Sequence, residues 1–187
     1  MLARNVHWTE EEYLRFEEAS TTRHEYLEGE IYAMAGAKSG HNKIATNAIA
    51  ALSVLVRAGR RGQAFNSDQR LHVPGSGLYT YADGGVACGK WEILERDGMS
   101  LLNPVLLVEV LSPSTCDDDR GAKLIHYRQI ASLTSVLILH EPERRVEHHR
   151  RVDGGWALDV VTSGAIDLPT LGGSLALDDL YYVAAGA

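Results

Sequence analysis

Residues 104–115 read PVLLVEVLSPST, and the reading of this stretch decides the fold. Val105, Leu106, Leu107, Val108, Val110 and Leu111 make the continuous apolar run that a strand covered on both faces requires. Pro104 stands at its mouth and Ser112-Pro113 end it. Glu109 sits inside the run. A carboxylate there costs roughly several kcal/mol unless a cation or a set of hydrogen bonds meets it, so the sequence demands a partner for Glu109.

Downstream, Asp117 to Asp119 can cap a helix from about Arg120 to Ile130 that carries Lys123, Leu124 and Tyr127. TSVLILH, residues 134–140, is a second buried-strand run. Strand, helix and strand in this order predict a parallel crossover. Residues 145–152 and 156–162 then pair as a hairpin about Asp153-Gly154-Gly155, and Leu177, Leu180 and Tyr181 mark a short docking helix.

Upstream, Thr9 with Glu12 has the form of a capping box for a helix through about Ala19. HEYLEGEIYAM, residues 24–34, reads as a hairpin about Glu28-Gly29, with Glu30 opening its second strand. Ile44, Ala48, Ile49, Leu52, Leu55 and Val56 recur at helical spacing until Gly59, which predicts the main core helix, with His41 at its start. Residues 63–73 and 78–87 read as two strands joined by Pro74-Gly75-Ser76-Gly77. Asp83 lies on the second, where Gly84-Gly85 weakens the strand signal. Residues 91–103 read as a partly helical connector.

The 187 residues fit one domain, 1–187, with an N-terminal helical extension over 1–20, a core over about 21–165 and a tail over 166–187. No apolar stretch approaches the roughly 20 residues that span a bilayer, and MLARNVHWTEEE turns acidic where a signal peptide is apolar. The expectation is a soluble, cytoplasmic protein without a membrane partner. Cys88 and Cys116 form neither a disulfide framework nor a paired zinc spacing. A net charge of −7 argues against indiscriminate polyanion binding, although basic residues cluster at Arg60-Arg61 and from Arg144 to Arg151. Those clusters fit solvated faces at least as well as phosphate contacts.

Glu30, Asp83 and Glu109 stand at strand positions, and Lys123 follows on the next helix. Hard cations take carboxylate and carbonyl oxygens plus water, so Asp83, Glu109 and the backbone carbonyl of Val110 could hold Mg²⁺ or Mn²⁺, with Glu30 reaching it directly or through water. Lys123 would orient a water or steady charge in a phosphoryl transition state. A purely structural reading fits the same residues: a Glu109–Lys123 ion pair, Asp83 in a turn, Glu30 in solvent. His148 and His149 are neighbours on a strand and point apart, which disfavours a shared metal. Ser112-Pro113-Ser114-Thr115 with His126 lacks the glycine-flanked elbow of a serine hydrolase. His41 and Ser112 are candidates for supporting contacts or phosphate binding.

LEGEIYAMAGAKSGHNKIATN, NSDQRL, YTYADGGVAC, PVLLVEVLSPST, DDDRGAKLIHYRQI and RRVEHHRRVDGGWAL together resemble the Uma-two restriction endonuclease family, a branch of the PD-(D/E)XK nuclease superfamily. The resemblance runs from about Thr9 to Tyr182. It implies an α/β restriction-endonuclease-like core, a mixed sheet flanked by helices, with metal at Asp83 and Glu109 and the catalytic lysine moved from strand to helix. Leu111, two residues after Glu109, and Lys123 fit that displacement. Where the family has Pro-Asp followed by β-branched residues, this chain has Ala82-Asp83-Gly84-Gly85, which predicts a bent or loosened strand. The implied activity is Mg²⁺- or Mn²⁺-dependent hydrolysis of DNA by a homodimer. The alternative is an inactive nuclease-fold module that binds nucleic acid or protein.

Overall fold

The computed structural model describes residues 7–34, 36–111 and 117–183, those of 117–120 by backbone alone. Its centre is β7 (Pro104–Leu111), in a six-stranded mixed sheet of order β10-β9-β8-β7-β6-β3. Here β3 is Gly62–Asn66, β6 is Gly84–Cys88, β8 is Ser135–His140, β9 is Val146–Val152 and β10 is Gly155–Val161. β7 and β8 run parallel across helix α3 (Asp117–Tyr127), and the other pairings of the sheet are antiparallel.

Alternation along β7 divides its side chains between two cores. Leu106, Val108 and Val110 pack with Ile44, Ala48, Leu52 and Val56 of α2 (Ser39–Gly59). Leu107 packs on the other face with Leu124 and Tyr127 of α3. Glu109 has the parity of Leu107, so it points to the α3 face. That is how a carboxylate in an apolar run comes to lie beneath a helix bearing a lysine and a tyrosine.

A four-stranded antiparallel sheet, β2-β1-β5-β4, adjoins this layer. It contains the hairpin β1 (His24–Leu27) and β2 (Glu30–Ala33), then β5 (Leu78–Thr80) and β4 (Leu71–Val73). Glu28 (φ 49°) and Gly29 (φ 88°) make the two-residue turn, both central residues at positive φ, which fixes the register at Leu27 opposite Glu30 and Glu25 opposite Tyr32. Helix α1 (Glu10–Ala19) begins with the complete Thr9–Glu12 capping box and buries Tyr13 against Tyr26 and Tyr79.

Several expectations change. Residues 63–73 and 78–87 are each split between the two sheets, with Tyr81-Ala82-Asp83 crossing from one to the other. Gly84-Gly85 does not loosen β6. A Cβ on Gly85 would lie 2.5 Å from both the Leu106 carbonyl and the Phe65 ring, so glycine is what lets β6 lie close between β3 and β7. Helix α2 runs through Gly59, and Arg60 takes the left-handed position (φ 50°). Residues 91–103 hold no helix and join the structure through the Ile93–Leu101 and Leu71–Leu101 bridges. A hairpin of β11 (Ala165–Leu168) and β12 (Gly173–Ala176) precedes α4 (Leu177–Leu180) and closes the α2-side core. Ser112, Thr115 and Cys116 fall outside the described residues. Among the described residues no helix is long and apolar enough to cross a membrane.

Candidate active site

The two sheets meet at Asp83. β6 opens one residue later with Gly84 opposite Val108, so continuing the antiparallel register sets Asp83 across from Glu109, on the same face. The Val110 N–H donates to Asp83 Oδ2 at 2.8 Å. His41, in the first turn of α2, places Nε2 3.1 Å from the same oxygen. Its imidazole is held above the ordinary histidine pKa, first by that hydrogen bond and despite its burial. The N–H and C=O of a strand residue leave the chain on the same side, so the Val110 carbonyl also faces the Asp83 side, where β6 has not yet begun.

Glu109 Oε1 accepts the Tyr127 hydroxyl at 2.6 Å. Burial pushes the Glu109 carboxyl up to about 7; Lys123 opposes the rise, whereas Asp83 and Glu25 add to it. Tyr127 is itself wholly buried, and its hydroxyl is raised well above the ordinary range by burial and by Glu109. Lys123 and Tyr127 are four residues apart on α3, so one helix face delivers both to the acids.

The hairpin acid that meets Lys123 is Glu25. Its Oε1 lies 2.6 Å from Lys123 Nζ and accepts the Thr80 hydroxyl. Burial works against the Lys123 ammonium, but Glu109 and Glu25 outweigh it and hold the amine above its ordinary range. Glu30 shares a hairpin face with Glu25 but stands two residues along, exposed at the rim, where it accepts the Tyr32 hydroxyl. Alternation reveals that both acids share a face. It does not reveal which end of the hairpin abuts the other sheet. The signal for Glu25 was the turn register, combined with Thr80 three residues before Asp83.

The structure thus brings Asp83, Glu109 and Lys123 together, adds Glu25, Thr80, Tyr127 and His41, and leaves Glu30 outside. Among the described residues, no group of three or more His, Cys, Asp or Glu side chains is arranged to hold a metal ion. Mg²⁺ asks for less than that: it keeps several waters and is held by one or two carboxylates. Two hard carboxylates and a carbonyl directed to one side fit such an ion.

The cluster from Arg144 to Arg151 is committed elsewhere. Arg145 pairs with Glu147 at 2.8 Å, Arg150 with Asp159 at 2.6 Å, and Arg151 donates to the Leu133 and Ile130 carbonyls. His148 bonds Ser135 while His149 lies against Arg128, on opposite faces of β9.

A family model described as "Putative restriction endonuclease", Uma2, matches residues 10–178. Two curated relatives come from Synechocystis sp. PCC 6803. "Uncharacterized protein sll1609" is 36% identical over 151 residues, 80% of this chain and 85% of the relative. "Uncharacterized protein slr1290" is 32% identical over 173 residues, 91% of this chain and 90% of the relative. A crystal structure described as "a putative nuclease belonging to DUF820" from Anabaena variabilis superposes with a TM-score of 0.75 at 18% identity, covering 91% of this chain and 96% of that one. The shared architecture is a mixed sheet flanked by helices.

Proposed function

The chain belongs to the Uma2 family, and on that footing we propose that it is a divalent-metal-dependent endonuclease that hydrolyses DNA phosphodiester bonds. Asp83, Glu109 and the Val110 carbonyl would hold Mg²⁺ or Mn²⁺. When bound, such an ion lowers the pKa of a water and neutralises charge on a phosphoryl oxygen. The protein's own groups do the rest. The Val110 N–H and His41 fix Asp83 through Oδ2, and Oδ1 would then serve the cation. Tyr127 fixes Oε1 of Glu109, and the other oxygen would serve the cation. Lys123 brings a permanent positive charge to the developing charge at phosphorus and can orient the attacking water.

The observation that supports this reading best is the pair Asp83 and Glu109, two acids set across from each other where the two sheets meet, a juxtaposition that a divalent cation would relieve. Glu30, at the rim, is assigned an auxiliary place on the approach of the substrate. We read the chain as one nuclease domain, cytoplasmic, acting on DNA as a homodimer.

Supercoiled plasmid incubated with Mg²⁺ or Mn²⁺, with EDTA as control, tests the reading. The expected result is metal-dependent nicking that falls by about 10³-fold or more in Glu109→Ala at unchanged circular dichroism. Nicking indifferent to Glu109→Ala removes the assignment. Absence of nicking under every metal, with DNA still bound, favours the inactive module.

A further inference from the structure

Glu25 is the one acid of the cluster that belongs to the smaller sheet, and it is built in from three sides. The Glu28-Gly29 turn sets its register, Tyr26 beside it pairs with Tyr79 of β5, and the Thr80 hydroxyl donates to its Oε1. Lys123 on α3 carries a flexible four-carbon stem and faces two carboxylates. Among the described residues its ion pair is with Glu25, at 2.6 Å, while Glu109 acts on it through space. The choice matters because an ammonium seated on Glu109 would occupy the oxygens that a cation needs.

We propose that Glu25 is a positioning residue that holds Lys123 off Glu109, keeping Glu109 open to the divalent ion while the ammonium stays within reach of the phosphate. This rests on the metal-dependent reading above and deepens it. Glu25 carries no ligand role: its effect on metal affinity passes chiefly through Lys123, with only a small through-space remainder when the lysine is removed.

A double-mutant cycle read by Mn²⁺ titration calorimetry of the DNA-free protein tests this without any turnover. Glu25→Gln keeps the shape and the Thr80 contact and removes the charge. It is expected to weaken Mn²⁺ binding about tenfold, as Lys123 swings to Glu109. In a Lys123→Met background the same Glu25→Gln change is expected to weaken Mn²⁺ binding by about twofold at most. Plasmid nicking should report the same split, the half-saturating Mn²⁺ concentration rising in Glu25→Gln and the single Lys123→Met losing rate instead. Equal Mn²⁺ affinity in wild type and Glu25→Gln overturns the inference, as does an equal loss with and without the lysine, which would make Glu25 a ligand or a simple charge. A wild-type protein that binds no Mn²⁺ is a different failure: it removes the metal-dependent reading, and the inference with it.

Discussion

Two half-buried acids, Asp97 and Glu109, meet opposite fates in this molecule. Asp97 faces Arg70, with Nη2 to Oδ2 at 3.0 Å, and accepts the Met99 and Ser100 N–H groups on Oδ1 at 2.9 and 3.0 Å and the Ser100 hydroxyl on Oδ2. Burial works to raise its pKa, yet those hydrogen bonds and the guanidinium hold it below the ordinary range. Glu109 has one such donor among the described residues, Tyr127, and burial pushes it up to about 7. Donors and a guanidinium around Asp97 favour its carboxylate, whereas burial outweighs the Tyr127 hydrogen bond at Glu109 and favours its protonated form.

Breaking the satisfied side should cost most. Asp97→Ala strands a buried guanidinium and is expected to destabilise the fold by about 4 kcal/mol in urea unfolding. Glu109→Gln should do the reverse, with a pH dependence that follows from its raised pKa. Below the ordinary 4.5 both folded and unfolded states hold the proton, so Glu109 costs nothing. As pH rises through the window from 4.5 to about 7 the unfolded chain releases the proton while the folded one keeps it, and stability falls. Metal-free Glu109→Gln should therefore match wild type near pH 4 and exceed it by about 3 kcal/mol at pH 8. A constant difference across pH would mean that the two acids do not differ in this way.

Tyr127→Phe sharpens the contrast by removing the one donor to Glu109 among the described residues. Because that hydrogen bond lowers the Glu109 pKa, its loss should move the Glu109 titration upward by roughly one unit and cost about 1.5 kcal/mol above pH 7, read by carboxyl NMR and denaturation. The smallest effect belongs to neither region: Thr9→Ala removes the α1 capping box and should cost about 1 kcal/mol at any pH from 6 to 9.

The Glu109 side of this contrast was largely legible in the sequence; the Asp97 side was not. The buried run around Glu109, the helical period of α2, the capping box and the β7–α3–β8 succession are local signals, and each produced its element. Alternation on β7 also implies that Glu109 and Leu107 share a face. What stayed hidden depends on contacts between distant segments. Nothing near residues 63–73 or 78–87 announces that each run leaves one sheet for the other. Gly84-Gly85 reads as a weak strand until Phe65 and Leu106 are seen crowding it. Glu30 and Glu25 are equivalent by pattern, and the meeting of the two sheets at Asp83 chooses Glu25.

The most direct measurement is the titration of the Glu109 carboxyl by ¹³C NMR, with and without Mg²⁺. The expected midpoint lies near 7 in metal-free protein and moves below the ordinary 4.5 when Mg²⁺ is added, with no movement by Mg²⁺ in Asp83→Asn. A Glu109 that titrates near 4.5 without metal, or ignores Mg²⁺ altogether, would contradict that expectation.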